Sequence, residues 1–281
     1  MKTHGIGGTL ALVVMCLGSG VSAMAAGDLG PLPVEVWNQA YQETYEPDTI
    51  ADILAGARNA YVLIDPFQPE HGDTMPGVID ALHAKGNVVS AYISIGTGET
   101  WRDDFAALKP HLVDKQWDDW GGEYFVSMPN EAVIAIMKSR IDKIAAWGFD
   151  WVEFDNMDWV YDDDYRAEYN FAASVADGVA YYRALCDHVH ARGMKCMAKS
   201  TVESAEIFDG VTYESYEDDR NWWDEAGAQS FLAADKPVVI VHYDAPDCAA
   251  ILAEYQQIYG PKLSFICEDR SRQAYRHMRG S

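Results

Sequence analysis

Trp151-Val152-Glu153-Phe154-Asp155-Asn156-Met157-Asp158 is the stretch that decides the fold of this 281-residue chain. Its first half is apolar with one acid in it; its second half is a polar cluster with two carboxylates. A short aromatic and β-branched run that follows a glycine, Gly148, and ends in polar groups reads as a buried strand. The chemistry then sits at the C-terminal tip of that strand. A helical pattern precedes it over 131–147, with Val133, Ile134, Met137, Ile141, Ile144 and Ala145 at helical spacing, Asn130 as its cap and Gly148 as its stop. A long acidic, aromatic loop follows, and then a second helical stretch over 165–191. Helix, strand, acidic tip, helix is one unit of an α/β protein. Repeated into a barrel, such units place the active site at the C-terminal strand ends.

The same alternation extends in both directions. Strands are expected over 60–64, 88–95, 124–128, the opening stretch from 151, 194–198, 210–213, 238–241 and 263–267. Helices are expected over 76–84, 103–113, 131–147, 165–191, 221–233 and 247–259, with a short helix before the sixth strand and another at the chain end. Regular alternation argues for a parallel sheet, and a count of eight for a closed (β/α)8 TIM barrel in a single domain over 37–281. Residues 26–36 read as a Gly/Pro linker, and the aromatic lead-in at 37–45 has no assignable structure. No G-x-G-x-x-G follows a strand, so nothing supports a dinucleotide site.

Lys2 and His4 precede an apolar run from Gly7 to Leu17, and Ala23-Met24-Ala25 offers an A-x-A cleavage site. This is the pattern of a secretory signal peptide over 1–25, cut after Ala25 or, as second choice, Ala23. The expected location is therefore secreted or periplasmic. No later stretch is apolar for long enough to insert in a membrane. The formal charge is −23, and losing Lys2 with the leader takes it to −24. Such a field disfavours nucleic acid and anionic membranes and attracts a cationic polymer, although solubility in a salty or acidic habitat explains it as well. The 9 Trp and 16 Tyr fit either a large core or aromatic faces for sugar rings.

With Cys16 in the leader, Cys186, Cys196, Cys248 and Cys267 remain. Export permits disulfides. Cys186 and Cys248 fall in expected helices, Cys196 and Cys267 in the strands that follow. That parallel placement favours Cys186–Cys196 and Cys248–Cys267, with connectivity left open by the sequence itself. Their spacing is not that of a zinc site.

Polar groups stand at every expected strand end but the third: Asp65, Glu99, Asp155, Lys199, Glu214, His242 and Asp269. Glycosidase chemistry needs two carboxylates flanking one bond. Asp155 and Glu214 end the fourth and sixth strands, and alternate barrel strands feed one layer, so the two face each other across the mouth. Asn156 and Lys199 favour an ionised Asp155. Asp155 is thus the candidate nucleophile and Glu214 the candidate acid/base. Asp158 and Glu217 sit past the strand ends and read more readily as loop residues. The run Asp162-Asp163-Asp164 lacks the spaced ligands of a calcium loop. No cofactor and no catalytic metal are expected.

These residues resemble a known family. Tyr92-Ile93-Ser94-Ile95-Gly96-Thr97-Gly98-Glu99-Thr100-Trp101-Arg102 is similar to the Y-x-S-x-G-x-x-E-x-W-R of the endo-α-1,4-polygalactosaminidase family of glycoside hydrolases. Glu153 to Asp158 resembles its E-x-D-N-x-D, Asp65 with Phe67 its I-D-x-F, Phe208-Asp209 leading to Glu214 its F-D-x-x-x-x-E, and Asp269-Arg270 its D-R. The resemblance runs in order from about Trp37 to Arg270. It implies a secreted barrel that cuts α-1,4-linked galactosamine polymers internally, with Asp155 and Glu214 as the catalytic acids. Substrate contacts then fall to Asp65, Tyr92, Ser94, Glu99, Trp101, Arg102, Asn156, Asp158, Lys199, His242, Tyr243 and Asp269. Ser215 stands where the family tends to have Cys, Ser200 where it has Asn, and His242 where it has Glu. These departures bear on the substrate subsites. Two other readings are a non-catalytic glycan-binding barrel and a hydrolase of another polysaccharide; a metal-dependent hydrolase at the acidic loop is a third.

Overall fold

The computed structural model describes residues 27–41, 49–68, 74–201, 204–215, 225–243, 246–268 and 277–278. The expected signal peptide therefore lies outside the described residues, as does Asp269. Among the described residues, eight parallel strands form a nearly closed barrel: β1 (Glu35–Asn38), β2 (Ala60–Ile64), β3 (Val88–Ser94), β6 (Trp151–Asp155), β7 (Lys195–Lys199), β8 (Gly210–Ser215), β9 (Val238–Tyr243) and β10 (Ser264–Glu268). The Val34 amide donates to Ser264 Oγ at 3.0 Å and ties the first strand to the last. A two-residue β11 (His277–Met278) pairs antiparallel with β10, where the sequence suggested a closing helix.

The barrel is the one expected, with one strand exchanged. The stretch 124–128 is not a barrel strand. Its β5 (Glu123–Phe125) pairs antiparallel with β4 (Thr97–Glu99), an excursion at the C-terminal end of β3. The missing barrel strand is β1, inside the supposed linker and aromatic lead-in, with Glu35 opposite Ala60. The two errors cancel in the count, so Asp155 and Glu214 still end the fourth and sixth barrel strands.

Strand periodicity divides the core in two. Tyr61, Leu63, Trp151, Met197, Val239, Val241 and Ile266 fill the barrel interior. Their alternates, such as Val62, Ile64, Val152, Ile240 and Phe265, pack outward against Ile79, Met137, Ile141 and Leu185 of the helices. These are α1 (Thr49–Gly56), α2 (Met75–His83), α3 (Phe105–Leu108), α4 (Glu131–Trp147), α5 (Asp163–Tyr169), α6 (Val175–Ala191), α7 (Glu225–Ala233) and α8 (Cys248–Tyr259). Asn130 caps α4 by accepting from Ala132 N and Val133 N, and Gly148 ends it at φ 93°. The expected helix over 165–191 is two. Asn170 turns left-handed at φ 52°, and Ser174 with Asp177 forms a capping box that restarts the chain as α6. The expected helix over 103–113 shrinks to one turn of α3 and a 3-10 turn over Lys109–His111. Turns, not a helix, precede β8 over 204–207.

The Cys186–Cys196 and Cys248–Cys267 bonds are both present, with Cα separations of 5.7 and 6.0 Å. Each staples a helix to the strand behind it. His190 and Asp209 lie beside the first bridge and hydrogen-bond to each other at 2.7 Å.

Candidate active site

Strand twist brings the ends of β2, β3, β6, β7 and β8 to one cleft of about 450 Å³. The inward-facing residues of these strands carry it, because positions of one parity share a face. On β6 these are Trp151, Glu153 and Asp155; on β7, Met197 and Lys199; on β8, Thr212 and Glu214.

Lys199 joins the two central acids. Its Nζ is 2.9 Å from Asp155 Oδ1 and 2.7 Å from Glu214 Oε2, so those two oxygens lie within about 6 Å of each other. Tyr92 OH donates to Asp155 Oδ2 at 2.5 Å, and the Asn156 amide to Asp155 Oδ1 at 2.7 Å. Tyr243 OH donates to Glu214 Oε1. The ring of Tyr41 lies under the ammonium, 4.0 Å from Nζ, a cation–π contact. Burial, then Glu153, keeps the Tyr41 hydroxyl protonated well beyond its ordinary range. Burial, then Asp155, does the same for Tyr92. Both are therefore hydrogen-bond donors at any working pH.

Below this layer Glu153 is wholly buried and accepts from Tyr41 OH and from Thr212 Oγ1. Burial raises its carboxyl to about 7, against the opposing pull of Lys199.

A second set stands beside the first. Arg102 clasps Asp65 with Nη1 and Nη2 at 2.9 and 2.8 Å, and Glu99 with Nε and Nη2 at 2.8 and 2.6 Å. All three are buried. Asp104, Glu99 and the Ser94 carbonyl hold Arg140 behind them. Asp65 and Glu99 thus brace the cleft wall through Arg102. Asn156, at φ 55°, suits the left-handed region that Asn tolerates. Its Nδ2 reaches Ser94 Oγ at 3.0 Å and Thr97 Oγ1 at 3.2 Å. Gly96 permits this approach, since a Cβ there would stand 1.9 Å from the Asn156 carbonyl.

Of the residues singled out from sequence, Asp65, Tyr92, Glu99, Trp101, Arg102, Asn156, Lys199, Asp155 and Glu214 line the cleft. Ser94 lies beneath it, fully buried, and Tyr243 reaches it through Glu214. His242 does not: it is buried on the opposite face of β9, its ring 6.1 Å from that of Tyr255 on α8. Adjacent strand residues point opposite ways, so a site Tyr243 turns His242 outward. Asp158 begins a 3-10 turn over Asp158–Val160. In the acidic loop, Asp162 caps α5 and Asp163 pairs with Arg166. Sequence reading missed Gln39, Tyr41, Gln68, Trp117, Trp120 and Glu123, all on the cleft wall. Recognising Glu35–Asn38 as a strand would have put Gln39 and Tyr41 at its tip. Glu123 was hidden by the misplaced strand.

The matching family model is that of glycoside-hydrolase family GH114, and it spans residues 36–280. The chain belongs to that family. It is a glycoside hydrolase, of the family its motifs resemble. Among solved structures it is similar to Aspergillus fumigatus Ega3 in complex with galactosamine, at TM-score 0.67 and 18% identity over 92% of this chain and 99% of that one. It is also similar to the glycoside hydrolase domain of PelA from Pseudomonas aeruginosa, at TM-score 0.59 and 17% identity over 87% and 97% of the two chains. At these identities the likeness is one of fold. A curated relative, an uncharacterized protein of Deinococcus radiodurans, is 27% identical over 135 residues, 47% of this chain and 42% of the relative. The chain thus matches under half of that relative's length. No described helix is long and apolar enough to cross a membrane.

Proposed function

We propose that this chain is a secreted endo-acting glycosidase that cleaves α-1,4-linked galactosamine polymers by double displacement. The observation that carries the reading is the Lys199 bridge, which holds Asp155 and Glu214 in one layer of the cleft. Asp155 attacks the anomeric carbon, and Glu214 gives its proton to the leaving glycosidic oxygen. The C1–O bond to the leaving chain breaks as the bond to Asp155 forms. Glu214 then takes a proton from water, which displaces Asp155 and restores both groups. Retaining glycosidases hold their carboxyls roughly 5–5.5 Å apart and inverting ones roughly 6.5–9.5 Å. The bound set by Lys199 favours retention.

Three donors converge on Asp155, from Lys199, Tyr92 and Asn156. They hold it in one orientation, which suits an attacking group. The acidic charge favours a cationic substrate. Galactosamine in the complexed relative is consistent with that substrate class. The leader pattern supports export.

The test is product release from a partly deacetylated α-1,4-galactosamine polymer. Wild type should yield oligosaccharides; Asp155→Asn and Glu214→Gln should yield none at equal protein. Equal release by either variant would refute the assignment. Binding of the polymer without turnover in wild type would favour the glycan-binding alternative.

A further inference from the structure

Among the described residues, five carboxyls line the cleft: Asp65, Glu99, Glu123, Asp155 and Glu214. Its two lining cations serve four of them. Arg102 is shared by Asp65 and Glu99, and Lys199 by Asp155 and Glu214. Among the described residues Glu123 has no ion pair. Its Oε2 accepts from Thr97 Oγ1 at 2.6 Å and from Asn156 Nδ2 at 3.4 Å. Its Oε1 takes no hydrogen bond from the described residues, and the residue is only 7% exposed. A buried carboxyl that opens on a cleft without a counter-cation is costly unless neutral or paired.

We propose that Glu123 recognises the 2-ammonium group of a galactosamine unit seated beside Asp155, and so selects deacetylated stretches of the polymer. Asn156 places the two acids side by side: its amide nitrogen bonds Asp155 and its side chain reaches Glu123. An ammonium in that position completes the pairing that the protein leaves unfinished. An N-acetylated unit brings no charge and gains nothing there. Trp101, Trp117 and Trp120 line the same cleft.

The electrostatics agree with this role. Burial and then Glu99 raise the Glu123 carboxyl to about 8; Asp155 also raises it, while Thr97 and Arg102 act the other way. The group is therefore largely protonated at neutral pH in the free protein. An arriving ammonium favours the carboxylate, so binding releases a proton.

This inference rests on the substrate class proposed above, and binding tests it without requiring turnover. Calorimetry with galactosamine and N-acetylgalactosamine oligosaccharides, at pH 7 in two buffers of different ionisation enthalpy, compares the full-length wild type with Glu123→Gln. Wild type should prefer the amino sugar about tenfold or more and release up to about one proton. Glu123→Gln keeps the Thr97 contact and should lose both effects without a lower Tm. No preference in wild type, or a preference that survives Glu123→Gln, overturns the role of Glu123. Hydrolysis assayed in parallel separates the two readings. Cleavage with preference intact in the variant removes only this inference; Glu123-dependent preference with no cleavage removes only the hydrolase reading.

Discussion

Lys199 on β7 and Glu214 on β8 form a buried ion pair of 2.7 Å, and the same ammonium reaches Asp155 on β6 at 2.9 Å. One cation thus holds two acids that would otherwise repel each other at close range. Its removal exposes that repulsion.

Lys199→Met should lower kcat by about 10²-fold or more, since two carboxylates lose their common orienting charge. Full activity in Lys199→Met would mean that Tyr92, Asn156 and Tyr243 orient the two acids without it.

Tyr92→Phe and Tyr243→Phe each delete one donor to a proposed catalytic acid without changing the volume of the ring. A hydrogen bond to a charged group is worth about 1.5–3 kcal/mol. Each variant should lose roughly ten- to a hundredfold in kcat with little change in Tm. Full activity in Tyr92→Phe would show that Asp155 is oriented by Lys199 and Asn156 without it.

Breaking the Arg102 clasp should act on stability instead. Arg102→Ala strips the buried Asp65 of its bidentate cation and leaves the buried Glu99 with Arg140 at 3.8 Å, at about 3–5 kcal/mol. Thermal unfolding reads this directly. Arg102→Lys cannot reproduce the bidentate fork on Asp65 and should fall between wild type and Arg102→Ala.

Glu153 sets a pH dependence of stability. Its carboxyl is raised from 4.5 to about 7 by burial. Between those values the folded chain binds more protons than the unfolded chain, so stability falls as pH rises through this window. Glu123, raised to about 8, adds in the same direction. Glu153→Gln should flatten the fall in Tm between about pH 4.5 and 7. An unaltered slope would mean that other groups set it.

Much of this site was legible in sequence because barrel strand ends collect polar residues and strands alternate. That logic found Asp155, Lys199 and Glu214, each at the tip of a short, largely apolar run. It failed at Glu35–Asn38, a four-residue strand just after Pro31 and Pro33, where the periodic signal is too short to read. It failed again at Glu123–Phe125, whose aromatic residues look like a barrel strand but pair with β4 above the mouth. His242 shows the opposite limit. It stands one residue from a site tyrosine, and a one-residue step reverses the face.

Ser200 shows a departure with a local cost. It sits left-handed at φ 54°, a region that Asn tolerates better than Ser. Ser200→Asn should therefore raise stability by about 0.5 kcal/mol, a fraction of the roughly 1–3 kcal/mol that such strain costs, as read by denaturant midpoint. A lowered midpoint would mean that the Ser200 side chain makes a contact worth more than the strain.

The most direct test of the two-acid account is covalent trapping. Glu214→Gln keeps the proposed nucleophile but lacks the base that frees it. With an aryl α-galactosaminide, whose leaving group needs no acid, this variant should accumulate a glycosyl-enzyme. Peptide mass analysis of the quenched protein should then find one sugar mass on the peptide that carries Asp155. An adduct on another residue, or aryl release with inverted sugar and no adduct, would contradict the account.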